Sequence, residues 1–140
     1  MNIVLSIVIP VYNSSEILVS LCTRIFASLD SLSHEVILVN DGSTDHSWQQ
    51  IKEIAKENSS VKGICLRKNF GQDNAIMAGL RIAKGEFVVI MDDDLQHAPE
   101  DISKLFEKCN ESFDVCFANF KNRNQSLVKN IGSDVNGMTA

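Results

Sequence analysis

The 140-residue sequence has no surplus of basic residues. Lys and Arg number 13 against 18 Asp and Glu, a formal charge of −5. Domains held to nucleic acid by bulk charge are usually basic, so no nucleic-acid partner is expected. No apolar run approaches the ~20 residues that cross a bilayer. Met1-Asn2 lacks a basic start, and the apolar run after it is interrupted by Ser6 and Pro10, so no signal peptide is expected. The cysteines Cys22, Cys65, Cys109 and Cys116 form no CxxC pair, and no histidine stands at zinc-finger spacing from them. They read as small buried hydrophobes in a reduced compartment. No GxGxxG follows the first apolar run and no GxxxxGK[ST] occurs, which disfavours nicotinamide folds and P-loop ATPases. Internal repeats, low-complexity segments and linkers are absent as well.

What remains is one globular domain's worth of chain, 44% hydrophobic, in which apolar runs alternate with helical stripes. Ile3 to Ile9 is a nearly continuous β-branched run. Ile17, Leu18, Leu21, Cys22, Ile25 and Leu29 then fall on one helical face. Val36–Val39 is the next strand, and Trp48, Ile51, Ile54 and Ala55 mark a second helix. Val61–Leu66 is a weaker strand, followed by a helix over 72–84 and a strand over Phe87–Met91. Ile102, Leu105, Phe106 and Cys109 stripe a fourth helix, with Pro99 suited to its first turn. Phe113–Ala118 reads as a fifth strand. Apolar strands without alternation are covered on both faces, so the fold class is α/β with a mostly parallel sheet flanked by helices. Leu127, Val128, Ile131, Val135 and Met138 form a last stripe with no partner element after it. The chain is therefore read as a piece of a longer protein, the alternative being a helix folded back on the sheet.

In a parallel sheet the ligand lies beyond the carboxyl ends of the strands, near the reversal of strand order. Three polar segments fall at such ends: Pro10-Val11-Tyr12-Asn13, Asn40-Asp41-Gly42-Ser43-Thr44-Asp45, and Asp92-Asp93-Asp94-Leu95-Gln96-His97. Three adjacent carboxylates repel one another, and a divalent cation removes the conflict. In an extended segment Asp92 and Asp94 face one way and Asp93 the other. Few protein ligands and an open shell suit Mg²⁺ or Mn²⁺ carrying a phosphorylated substrate, with Gln96 as a further oxygen ligand. The plainer reading is a solvated acidic turn. Ser43, Thr44 or Asp45 can cap the second helix, which leaves Asp41 available to a base N–H or a ribose hydroxyl. Lys68 lies in the loop before the third helix, where Ala75, Gly79 and Ala83 allow close packing on the sheet. A receiver-type signalling domain fits poorly, because its acid pair would stand where Pro10–Asn13 does.

These ordered segments resemble family 2 glycosyltransferases of the GT-A fold. The matching pieces are Ser6–Asn13, Val39–Asp45 and the Asp-x-Asp of Asp92–Asp94. Asn69-Phe70-Gly71-Gln72, continuing to Ala75 and Gly79, resembles the polyprenyl-phosphate branch, as does Asp92–Glu100. The resemblance implies a single GT-A nucleotide-sugar domain over residues 1–140, the N-terminal part of a longer protein. It implies an inverting, metal-dependent transfer from a nucleotide-sugar donor, with a UDP-sugar favoured over GDP-mannose, to a polyprenyl phosphate. Pro10, Tyr12 and Asn13 would line the base pocket, with Asp41 at the base or ribose. Lys68, Gly71 and Asp93 would complete the nucleotide-binding set. Asp92 and Asp94 would be catalytic through the metal, with Gln96 close behind, and Arg123 would meet the acceptor phosphate. Two departures stand out: Ser14 where the branch often has Glu, and Phe120 where it often has Arg. Membrane contact is expected through the remainder of the protein, at the cytoplasmic side, with this piece soluble. Transfer to a sugar hydroxyl in polysaccharide synthesis, and a nucleotide-binding module without turnover, are the alternatives.

Overall fold

A computed structural model describes residues 2–118. The chain divides into two compact units, Met1–Glu100 and Asp101–Ala140. The first unit holds strands β1 (Leu5–Val11), β2 (His34–Asn40), β3 (Val61–Cys65) and β4 (Phe87–Ile90). Between them run helices α1 (Leu18–Ser28), α2 (Ser47–Glu57) and α3 (Gln72–Ile82). A 3-10 turn, Pro99–Asp101, precedes α4 (Ile102–Ser112) of the second unit. No helix among the described residues is long and apolar enough to cross a membrane.

The four strands form one parallel sheet in the order β3-β2-β1-β4. The chain builds outward from β1 to β3 and then returns to the other side of β1. The strand order therefore reverses between β1 and β4, where a parallel sheet opens a crevice at its carboxyl edge. Every residue of β1 is buried, as are the last six of β2. That is why these two runs show no polar alternation in sequence. Leu18, Leu21, Ile25 and Ile51 are buried residues of α1 and α2. On one sheet face, α3 packs over β1 and β2, with Ala75 buried against Val8, Ile37 and Val39. The close approach expected from its small residues is present: a Cβ on Gly79 would lie 2.4 Å from Val8 Cγ1.

Three expectations are corrected. Among the described residues of the first unit, β4 is not covered on both faces. Val88 and Ile90, in register with Ser6 and Val8, are 41% and 49% exposed, because α3 lies over β1 and β2. Residues 113–118 form no strand, since a strand exists only where a neighbour accepts its ladder and these residues are unpaired among those described. Of the cysteines only Cys22 is buried. Cys65 ends a sheet-edge strand and is exposed, while Cys109 and Cys116 are half-buried; all four are free thiols. The helical stripe over 127–138 lies outside the described residues.

The amino ends of the strands are tied by a buried charge. Glu35 is 1% exposed and accepts bonds from Ser6 Oγ (2.6 Å), Lys62 Nζ (2.6 Å) and the Lys84 N–H (2.7 Å). Burial alone would raise its pKa, but the bonds from Lys62, Ser6 and Lys84 outweigh it and hold the carboxyl below its ordinary value.

Candidate functional site

The loop after β1 and the loop after β2 are joined by reciprocal polar bonds. Asn13, at a positive φ of 50°, accepts with its Oδ1 from the Thr44 N–H at 2.8 Å and the Asp45 N–H at 3.3 Å. Its own N–H donates to Ser43 Oγ at 3.0 Å, and the Ser14 N–H donates to Ser47 Oγ at 2.9 Å. Asp45 accepts from the Ser47 N–H at 2.9 Å and the Ser15 N–H at 3.2 Å. Desolvation would raise its pKa, but the bonds from Ser47 and Ser15 prevail and hold the carboxyl down to about 2. Asp45 thereby satisfies the first N–H of α2 from the position before the cap residue, His46, whose own side chain makes no capping bond.

Asp41 is 4% exposed, and its Oδ1 accepts from the Phe70 N–H at 2.8 Å. It thereby pins the segment before α3 to the end of β2. Gly42 makes this possible. Its φ is +68°, and a Cβ there would lie 2.3 Å from the Asn69 nitrogen. Lys68 and Phe70 are both exposed, with Lys68 Nζ 5.1 Å from the Phe70 ring centroid. Gly71, at φ 96°, starts α3, and Gln72 sends its Nε2 to Asp92 Oδ1 at 2.9 Å.

The acidic segment after β4 closes the group. Asp93 Oδ2 accepts from the Tyr12 N–H at 3.0 Å and from Ser14 Oγ. Asp94 Oδ1 accepts from the Gln96 N–H at 3.0 Å, across Leu95 at φ 58°. Asp92 Oδ2 lies 4.0 Å from His97 Nε2, while the Asp92 N–H meets His97 Nδ1 at 3.4 Å. The segments holding Tyr12, Asp41 and Asp94 thus belong to one connected group at the carboxyl edge of the sheet. Pro10 is buried within β1, and Tyr12 is 47% exposed at its end. Gln96 is exposed, and Arg123 lies outside the described residues.

Among the described residues no three His, Cys, Asp or Glu side chains converge as a metal-holding group. The donors at hand are nonetheless hard carboxylate oxygens, half-exposed on Asp92 and exposed on Asp94. They fit a cation such as Mg²⁺ or Mn²⁺ that keeps much of its shell for water and phosphate. Several residues of the group carried no separate signal in the sequence. Ser47 is an ordinary helix-start residue by pattern, while Ser43 was marked only as a possible helix cap and Ser14 only as a departure from the family pattern. Gln72 and Phe70 stood out only as letters of a motif, and His97 only by its neighbours.

The family model described as Glycosyl transferase family 2 matches residues 6–135. The undecaprenyl-phosphate 4-deoxy-4-formamido-L-arabinose transferase of Aeromonas hydrophila subsp. hydrophila is 43% identical over 131 residues, which is 91% of this chain and 40% of that protein. The chain thus spans about two fifths of that relative's length. Among solved structures, S. aureus TarS 1-349 superposes with a TM-score of 0.69 at 26% identity, over 89% of this chain and 38% of that one. Its complex with UDP gives 0.64 at 25% identity over the same shares. The mannosyltransferase PcManGT from Pyrobaculum calidifontis, in complex with GDP-Man and Mn²⁺, gives 0.60 at 24% over 67% of this chain and 28% of that one, a likeness of fold. The GT-A architecture expected from the sequence is the one found.

Proposed function

Since the chain belongs to glycosyl transferase family 2, we propose that it carries the donor half of a metal-dependent, inverting transferase that moves a sugar from a nucleotide-sugar, a UDP-sugar first, to a polyprenyl phosphate. The observation that carries this reading is the joining of Tyr12, Asp41 and the Asp92–Asp94 segment at the reversal of strand order. The 43% identical relative, named for transfer to undecaprenyl phosphate, supports the acceptor class.

In this reading the exposed Tyr12 ring offers a face to the base, and Asn13 holds the loop that presents it. Asp41 has one oxygen on Phe70, so its contribution to the base or ribose is made by the remaining one. Lys68 supplies positive charge, and the N-terminus of α3 at Gly71 supplies backbone dipoles to the phosphates. Asp92 and Asp94 would hold the cation, with Gln96 behind them. Bound there, a divalent ion offsets the charge that grows on the leaving diphosphate. A phosphate monoester has a second pKa near ~6 and is already an anion at neutral pH. Such an acceptor needs positioning more than deprotonation, so no general base is assigned. Arg123 would contribute to that positioning, and membrane contact would fall to chain beyond these 140 residues.

The test is transfer of radiolabel from UDP-glucose or a related UDP-sugar to undecaprenyl phosphate with Mn²⁺, by a longer natural chain containing these residues. Product that appears only with metal supports the reading. No transfer to any polyprenyl phosphate removes it. The coverage of two fifths of the relative favours a second outcome for the piece itself: binding of UDP without turnover.

A further inference from the structure

We infer that Asp93, the middle carboxylate of the acidic run, is a positioning residue that couples the base side of the site to its cation side. It does so by holding Tyr12 and Ser14, not an ion. The inference rests on the functional reading above and assigns a role inside that site. Around the reversal point, the β1–β4 ladder ends where the Met91 N–H meets the Val8 carbonyl at 3.2 Å. Beyond it the two strands separate into the loops that carry Tyr12 and Asp92. Asp93 Oδ2 reconnects them through the Tyr12 N–H at 3.0 Å and the Ser14 hydroxyl. The two bonds join residues 81 and 79 positions apart in sequence.

The flanking acids do something else. Asp92 faces Gln72 at the start of α3, and Asp94 closes its own turn on the Gln96 N–H. Asp93 alone of the three reaches the base-side loop through bonds seen here. That loop is gripped from its other side as well, by Ser43 and Ser47. Tyr12 therefore sits on a backbone fixed at both flanks. A shift of the 92–94 segment toward a cation would be transmitted to Tyr12 through this carboxylate, and the reverse holds by linkage.

The experiment measures UDP affinity of the 140-residue chain by calorimetry, with and without Mn²⁺, together with amide exchange at Tyr12. Asp93→Ala should weaken Mn²⁺-dependent UDP binding about tenfold, the scale of the hydrogen bonds lost to Tyr12 and Ser14. It should also shrink the gain in affinity that Mn²⁺ confers and speed exchange at the Tyr12 amide. Asp93→Asn should recover most of the loss, because an amide oxygen can accept from the same two donors. Ser14→Ala should weaken binding less, and should add little on an Asp93→Ala background. Equal damage from Asp93→Asn and Asp93→Ala would show that the charge itself matters, as for an ion ligand, and would overturn the inference. So would unchanged affinity in Asp93→Ala, or in Ser14→Ala should the Asp93 variant fail to fold. Wild-type chain that binds no UDP with Mn²⁺ would end the functional reading and the coupling with it. Tyr12 exchange would then still report whether the tie itself exists, which keeps the two failures apart.

Discussion

Asp92 is the sharpest single-residue probe of the proposed chemistry. Asp92→Asn keeps the acceptor for Gln72 but removes the charge a cation would need. Loss of Mn²⁺-dependent UDP binding is expected, matched by adding a chelator to the unaltered chain and read by titration calorimetry. Asp45 makes a different prediction. Its carboxyl titrates at about 2 in the folded chain, against an ordinary value near ~3.9. A depressed folded value stabilises the fold above the ordinary pKa, and that stabilisation is lost as pH falls from about 4 to about 2. Asp45→Ala should cost roughly 1 kcal/mol at neutral pH, the usual worth of a helix-start cap. Urea titrations should show the difference from wild type shrinking toward pH 2.

Helix α3 depends on two glycines of different kinds. Gly79 lies where a methyl would meet Val8 Cγ1 at 2.4 Å and Val39 Cγ2 at 3.2 Å, both on stiff β-branched side chains. Gly79→Ala should destabilise by about 1–3 kcal/mol through overpacking, seen as a lower denaturation midpoint. Gly42 is not on the helix, yet it governs the segment leading into it. Gly42→Ala would drive a Cβ into the Asn69 and Lys68 backbone at a φ of +68°. It should displace Lys68 and Phe70 and weaken UDP binding more than it lowers the midpoint. The helices themselves were legible because their apolar spacing is local: the expected helix over 72–84 stands at Gln72–Ile82. The strand expected over 113–118 was not decidable in this way. Its apolar letters record only a capacity to pair, and pairing depends on a neighbour supplied from elsewhere.

Over the molecule as a whole, Glu35 holds the amino edge of the sheet while the acidic loops organise the carboxyl edge. Its carboxyl is depressed below its ordinary value, so its contribution is present above that value and fades as pH falls through the folded one. Glu35→Ala should cost about 3 kcal/mol at neutral pH, since it strands Ser6 and the Lys84 N–H. The loss should narrow on acidification in chemical denaturation curves. Sequence alone determined the alternation of strands and helices, the buried centre of β1 and β2, and the polar runs at their ends, because each is written in the spacing of near neighbours. It marked Tyr12, Asp41 and Asp92–Asp94 as candidates for the same reason. Only the tertiary structure decided that Asp93 faces Tyr12 and Ser14, that Asp41 grips Phe70, and that Gln72 reaches Asp92. Those contacts join residues that are far apart along the chain, and no local pattern records which distant group will fill a side chain's last hydrogen bond.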